Sequence, residues 1–432
     1  MPFSIDDIRE LSLRTDALQE EILKAEYEDP EAVKQAPVFN QSESAKYIGI
    51  SRSTLSSLLD DEAVPRTIEY KEDAQGNKKP LPPKFSAAQI EEIRKYLESK
   101  GMKGNWSKRR PSNTKHPITI MIGNLKGGST KTTVAIHLAQ WLSLMGYRVL
   151  GIDADPQGSF TKMLGFFSYY FEDLPQEAPY VDDYNTLFSL YSENNPLRPI
   201  NTYWPNLDVI PANIRGYSSE YFIPARQIKN NEPFWNILNK ALKEPVEEWN
   251  PNYATEDSDG TPLGPIYDPS DYDICILDCS PSYSYSTMNC IYSADSAIIP
   301  VPPNHLDILA TGTYFEQMAD FLEDIAQEEG QEKNFDFFVG VRSRMNGVDE
   351  TVANGGRVAA IFRDALLNTQ LNETKAIRVA ASDGSKTLLE AQGIKGVSSS
   401  TVKEAIKNFE AFFEEVEEKI IQAWESQKEL DL

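Results

Sequence analysis

At 432 residues with 40% hydrophobic content, the chain is long enough for two or more domains with sizeable cores. Its net charge of -24 means that any contact with nucleic acid has to be local, because phosphate binding rests on Lys and Arg. No run of about eighteen apolar residues occurs, and the mixed, acidic stretch Met1 to Glu10 lacks the regions of a secretory signal, so a cytoplasmic protein without membrane attachment is expected.

From the amino terminus, the spacing of Ile5, Ile8, Leu11, Leu18, Ile22 and Leu23 predicts an amphipathic helix over Ser4 to Tyr27, ended by Asp29 and Pro30. This first block, 1–36, reads either as one capped helix or as a dimerisation arm. In the next block, 37–102, the stretches Ser42 to Ile48 and Ser51 to Leu59 read as two short helices, with Gly49 at the turn and Ser51 as N-cap. Thr67 to Lys71, the turn Gln75-Gly76-Asn77 and Lys78 to Lys84 then suggest a hairpin wing, followed by a helix from Ser86 to Ser99. Two helices at a glycine turn occur in many folds, and their Ser and Thr side chains can simply cap and face water. If the second helix instead enters a DNA groove, its first turns present Ser51, Arg52, Ser53, Thr54 and Ser57 to it.

A basic stretch follows, with Arg94, Lys95, Lys100, Lys103, Lys108, Arg109, Arg110 and Lys115 against Glu98 alone. Within it, residues 103–117 carry Gly104, Pro111 and Pro117 without an apolar period, and read as a linker. Beyond it apolar runs and helical patterns alternate: Ile118 to Ile122, Thr132 to Met145, Arg148 to Ile152, Ile274 to Leu277, Ala297 to Val301 and Phe337 to Val341. That rhythm predicts an α/β fold, a mostly parallel sheet flanked by helices over 118–432. Between Phe166 and Tyr272 it breaks into a stretch rich in Tyr, Pro, Asn and acids, which reads as an insertion holding short helices (166–272). Cys275, Cys279 and Cys290 lack zinc-ligand spacing and read as reduced packing residues, while His137 and His305 have no partners at ligand spacing and read as structural.

The most informative residues run Gly123, Asn124, Leu125, Lys126, Gly127, Gly128, Ser129, Thr130, Lys131, Thr132, Thr133, directly after one apolar strand and before a helical pattern. Such a loop turns backbone N–H groups toward phosphate oxygens with a helix N-terminus behind them, and Gly127 and Gly128 let the backbone approach closely. Lys131 can reach the β- and γ-phosphates, and Thr132 offers a hydroxyl to Mg²⁺, so ATP or ADP with Mg²⁺ is the expected cofactor set. The bland alternative is a glycine turn before a helix. Two departures stand out: Thr130 replaces the glycine that normally precedes the lysine, and an additional Lys126 opens the loop. Two acidic segments support the reading, Asp153 to Ser159 and Ile274 to Pro281, both at the ends of apolar strands. Carboxylates there face the crevice of an open α/β sheet, where one can orient a water and another can support Mg²⁺. Asp278, after four apolar residues, stands where Mg²⁺ is held through water.

These residues resemble the ParA and MinD class of deviant Walker ATPases, whose loop reads Lys-Gly-Gly-x-x-Lys-Thr, over approximately Ile118 to Gln422. The resemblance implies a P-loop NTPase fold that hydrolyses ATP, with catalytic roles for Lys126, Lys131 and Asp155. Lys126 matches the signature lysine that reaches across an ATP-sandwich homodimer, and by family position Asp155 orients the water. Lys126 to Thr133, Asp153 and Asp155 would hold the nucleotide, and Thr132 with Asp278 the Mg²⁺.

Within the class, an acidic carboxyl-terminal segment (Glu404, Glu410, Glu414, Glu415, Glu417, Glu418, Glu425) argues against a membrane-cycling ATPase. The cysteines do not suit a cluster-bearing iron protein, and the last fifty or so residues hold no tyrosine for an autokinase. The chain resembles the large ParA partition proteins end to end, including an amino-terminal, α-rich winged helix-turn-helix domain. That implies operator binding and autorepression through that domain, nonspecific DNA binding by the ATP dimer, a ParB-type centromere-binding partner and nucleoid association. Arg363 and Arg378 lie near where smaller relatives place DNA-binding residues, with Lys386 close by in sequence, and Arg342, Arg344 or Arg357 could serve instead. A ParA-like transcriptional regulator and a nucleoid-based positioning ATPase for a protein cargo are the alternatives.

Overall fold

The computed structural model describes residues 4–28, 34–72, 78–104, 106–167, 181–256, 260–382, 385–391 and 394–430. Helix α1 (Ile5–Glu28) stands first, and residues 34–99 then form a small unit. It contains β1 (Val38–Asn40), α2 (Gln41–Ile48), α3 (Arg52–Leu58), β2 (Tyr70–Glu72), β3 (Lys78–Pro80), β4 (Lys84–Ser86) and α4 (Ala87–Ser99).

Local chemistry accounts for its boundaries. Asn40 accepts from the amides of Ser42 and Glu43 while Glu43 reaches back to the Asn40 amide, a capping box that starts α2. Gly49, at φ 85°, ends α2 in the left-handed conformation that glycine adopts freely. The Ser51 hydroxyl accepts from the Thr54 amide to start α3, and Ser86 with Gln89 forms a second capping box for α4. Strands β2 and β3 pair antiparallel with Tyr70 opposite Pro80, giving the expected hairpin, whose tip at Gln75-Gly76-Asn77 lies outside the described residues. The small β1–β4 sheet, with Phe39 opposite Phe85, was not anticipated. Strands of three residues are too short to display a period.

The remainder is a layered α/β unit. In chain order it comprises β5 (Ile118–Ile122), α5 (Lys131–Leu144), β6 (Val149–Asp153), α6 (Ser159–Met163), α7 (Leu187–Glu193), β7 (Ile200–Asn201) and β8 (Leu207–Ile210). Then follow α8 (Ser219–Asn230), α9 (Ile237–Lys243), α10 (Val246–Trp249), β9 (Ile274–Asp278), α11 (Tyr285–Ser293), β10 (Ser296–Val301) and α12 (His305–Glu329). The chain closes with β11 (Phe337–Arg342), α13 (Asp349–Phe362), α14 (Lys375–Ser382) and α15 (Ser399–Leu430). The sheet has the order β11-β10-β5-β9-β6-β8-β7, parallel except for β7 against β8. Strands β5, β6, β9 and β10 are buried along their whole length, as expected of a parallel sheet covered on both faces.

Two expectations need correction. The stretch read as an insertion holding short helices also supplies β7 and β8, which extend the central sheet beside β6. Strand β8 has four residues and β7 two, so neither shows a strand pattern, and only pairing reveals them. Within residues 103–117, read as a linker, residues 106–117 form a fastened strap. Arg109 donates to the Gly146 carbonyl, the Arg110 amide donates to Asp273, the Arg110 guanidinium donates to the carbonyls of Thr114 and Pro269, and Lys108 pairs with Glu417.

The small unit is docked firmly. Arg94 on α4 is 1% exposed and donates to the carbonyls of both Tyr47 on α2 and Leu144 at the end of α5. Lys46 pairs with Glu410 and Glu414 of α15, and the Tyr47 hydroxyl donates to Glu410. A single apolar cluster runs from Phe39, Leu55 and Phe85 through Trp141 to Phe412 and Phe413. Helix α5 is therefore apolar nearly all round, enclosed between sheet, α4 and α15.

Candidate active site

The loop between β5 and α5 is built by contacts from distant strands. The Gly123 amide donates to the Ile298 carbonyl of β10, and a Cβ at Gly123 would lie 2.6 Å from the Tyr314 hydroxyl, so a larger residue there would push the Met121 and Tyr314 side chains aside. Asn124 donates to the Pro300 carbonyl and to the Thr311 hydroxyl, each at 3.0 Å, and accepts from the Lys126 amide at 3.2 Å. The buried Ser343 hydroxyl donates to the Ser129 carbonyl at 3.5 Å. Gly127 and Gly128 are exposed, with open space where a Cβ would project. Thr130 sits at φ 71°, in the left-handed region that the glycine of the ordinary pattern tolerates and a β-branched residue resists.

Helix α5 begins without a side-chain cap, so its first amides are open to a phosphate. The ammonium of Lys131 folds back into the loop, donating to the Lys126 carbonyl at 3.2 Å and the Ser129 hydroxyl at 3.4 Å. Burial lowers its pKa, against the opposing pull of Asp278. Lys126, by contrast, is exposed.

Parallel pairing sets Asp153 beside Asp278 at the carboxyl ends of β6 and β9. Asp153 is 1% exposed and committed: it accepts from the amide and hydroxyl of Thr161 at 2.9 and 2.7 Å, and from the Asp155 amide at 3.2 Å. Burial pushes its pKa up to about 7. Its carboxylate thus organises the turn that carries Asp155. Asp155 is half-buried, with one oxygen accepting from the Gln157 amide at 3.1 Å.

Asp278 is fully buried, and neither oxygen has a hydrogen-bond partner. Burial, reinforced by the charge of Asp153, pushes its pKa well up, with Thr132 and Lys131 pulling the other way. A bare buried carboxylate beside a lysine and a threonine hydroxyl is a donor set that suits a hydrated hard cation, so Asp278 and Thr132 fit Mg²⁺.

A cavity of about 220 Å³ opens beside the loop, between Gly128, Thr130 and Thr133 on one side and Arg344, Asn372 and Thr374 on the other. Its second wall comes from segments more than two hundred residues away in sequence, and no local pattern marks it. Arg378, expected among DNA-contacting residues, lines this same cavity. Arg363, at φ 49°, ends α13 on the surface, and Lys386 is half-buried in the loop after α14.

On α3, Arg52, Ser53 and Ser57 are exposed. The Ser51 hydroxyl is hydrogen-bonded to those of Ser53 and Thr54, each at 2.8 Å, and Ser57 donates to the Ser53 carbonyl, which leaves Arg52 as the open donor of this set among the described residues. The basic stretch is less available than its composition suggested, because Arg94 is buried, Lys108 pairs with Glu417, and Arg109 lies 3.8 Å from Asp273. All three cysteines are buried and reduced. Among the described residues no group of three or more His, Cys, Asp or Glu side chains could together hold a metal ion, and no helix is long and apolar enough to cross a membrane.

Residues 120–422 match the model of the CobQ/CobB/MinD/ParA nucleotide binding domain. A chain of Sinorhizobium fredii named as a replication protein A is 27% identical over 409 residues, covering 91% of this chain and 89% of that one. The sporulation initiation inhibitor protein Soj of Bacillus subtilis is 31% identical over 185 residues, 42% of this chain and 57% of its own. A solved structure named Partition Protein superposes with a TM-score of 0.57 at 18% identity, covering 95% of this chain and 98% of its own, a likeness of fold.

Proposed function

Because the chain belongs to the CobQ/CobB/MinD/ParA nucleotide-binding family, we propose that it is a Mg²⁺-dependent ATPase of the DNA-partition type, working as an ATP-bound homodimer. The observation that carries this reading is the division of labour between two lysines: Lys131 is turned into the loop while Lys126 is exposed and without a hydrogen bond or ion pair of its ammonium among the described residues. An ammonium so placed is free to reach the phosphates of a second subunit.

In this reading the amides at the start of α5 and Lys131 hold the phosphates, and the adjoining cavity takes the nucleoside. Thr132 and Asp278 would hold Mg²⁺, which when bound would neutralise phosphate charge. Asp155 orients the attacking water, and Asp153 fixes the turn on which Asp155 sits. Phosphoryl transfer asks mainly for such positioning and charge neutralisation.

The 37–102 unit contacts operator DNA through Arg52 and the start of α3, and represses the operon of the protein. The ATP dimer binds DNA without sequence preference and responds to a ParB-type partner, which would put the protein on the nucleoid. Arg363 and Lys386 remain candidates for that nonspecific contact. Helix α1 exposes Ile5, Ile8, Leu11, Leu18 and Ile22, and serves as a dimerisation arm for the block 1–36.

The test is binding of nonspecific duplex DNA by the full chain with ATP, with ADP and without nucleotide, at fixed salt, repeated on Arg52→Ala. Binding that ATP switches on and that Arg52→Ala leaves intact is the expected result. Binding that ignores ATP and is lost in Arg52→Ala would make the protein a transcriptional regulator instead.

A further inference from the structure

Asp307 lies in the first turn of α12, only 4% exposed. One of its carboxylate oxygens accepts from the side chain of Asn304, the N-cap of the helix, while the other is buried and has no hydrogen-bond partner. A buried, uncommitted carboxylate oxygen is costly unless a cation comes to it. Burial raises the Asp307 pKa, and the charges that oppose the rise after the Asn304 bond are those of Lys126 and then Arg344. Arg344 already lies 3.4 Å from Glu373.

The same turn governs the loop from which Lys126 projects. The Asp307 carbonyl accepts from the Thr311 hydroxyl at 2.8 Å, that hydroxyl accepts from Asn124 at 3.0 Å, and Asn124 accepts from the Lys126 amide at 3.2 Å. The backbone of Lys126 is thus tied, through three hydrogen bonds, to the residue that carries the bare oxygen. An unpartnered ammonium and an unpartnered carboxylate oxygen stand on one scaffold, and no other function of the site uses the carboxylate.

We propose that Asp307 is a positioning residue for Lys126: its free oxygen receives the Lys126 ammonium within the same chain and gives it up to the phosphates of a second subunit. The structure holds the pair open, with both groups uncommitted. Closing it keeps the lysine from its own phosphate loop and makes dimerisation, which needs the pair open, compete with an internal contact. The second half of the inference rests on the ATP-dimer reading; the internal pair does not.

Two measurements on the full chain separate these. Reductive methylation without nucleotide, read by mass spectrometry, should modify Lys126 about threefold more slowly than the exposed Lys95. Asp307→Asn should remove the difference and Asp307→Glu restore it. Equal rates in the unmodified chain, or slow methylation that survives Asp307→Asn, overturn the internal pair. Sedimentation with ATP should then show the Asp307→Asn dimer tightened by about fivefold, with ATP affinity unchanged. A fall in ATP affinity, or a weakened dimer, would make Asp307 a merely structural residue. If the unmodified chain forms no ATP-dependent dimer, the partition reading fails while the methylation comparison still decides the pair.

Discussion

Lys131 and Asp155 differ in what the structure asks of them, and that difference sets the expected phenotypes. Lys131 is buried against the Lys126 carbonyl and the Ser129 hydroxyl, so Lys131→Ala removes the cation that meets phosphate, and titration with a fluorescent ATP analogue should show no saturable binding. The Asp155 carboxylate accepts from the Gln157 amide, so Asp155→Ala should bind the analogue normally while ATP turnover falls about 10²-fold. Turnover at the normal rate would remove Asp155 from the chemistry. His137 is a residue of another kind. Its Nε2 accepts from the Leu388 amide at 2.8 Å, so the Nδ1 proton donates to the Thr133 carbonyl at 2.7 Å, and burial lowers its pKa to about 4. The unfolded chain protonates this side chain below about pH 6.5 and the folded chain only near pH 4. Stability should therefore decline as pH drops through that window, by up to ~1.4 kcal/mol per unit, and be flat above it. Urea midpoints of the unmodified chain and His137→Gln, compared at pH 7 and pH 5, isolate this contribution as the part of the decline that the variant lacks.

Helix α5 links the phosphate loop to the amino-terminal unit: Lys131 opens it at the loop, and the carbonyl of Leu144 at its far end is held by Arg94 of α4. Arg94→Met would leave that carbonyl and the one of Tyr47 without their donor and Glu91 without its ion pair, at a cost of about 3–5 kcal/mol. A denaturant melt measures it, and a loss below about 1 kcal/mol would mean that packing alone holds the joint. The cap of α3 was legible from sequence, because Ser51 acts on an amide three positions away; Asn40 and Ser86 act just as locally on α2 and α4, but it took the structure to identify them as caps. Strands β7 and β8 were not legible, since their two and four residues acquire meaning only beside β6.

At the scale of the whole molecule, the strap, Arg94, Lys46 and a continuous apolar cluster make the amino-terminal unit and the α/β unit a single cooperative body. Urea unfolding of the full chain followed by circular dichroism and by tryptophan fluorescence should give coincident transitions. Two separated transitions would restore the flexible linker that the composition of 103–117 suggested. A chain cut to begin at His116 should unfold at lower urea than the full chain, because the cut strips donors from the Leu144 carbonyl, Glu417 and Asp273. Nucleotide and operator, if both bind as proposed, therefore act on one body and not on two tethered ones.

The order of strand, loop and helix around Lys126 and Lys131, the acidic strand ends at Asp153 and Asp278, and the capped helices before them are all determined by residues within a few positions of one another, and the sequence alone determined them. Tertiary structure decided the rest. It assigned Asp153 to Thr161 and Asp155, turned Arg378 into the cavity beside the loop, consumed much of the basic stretch in internal pairs, and tied Asp307 through Thr311 and Asn124 to the backbone of Lys126. Each of those outcomes depends on contacts between residues brought together by sheet order and helix packing, where the partner of a charge or a carbonyl is chosen by burial and distance across the fold instead of by spacing along the chain.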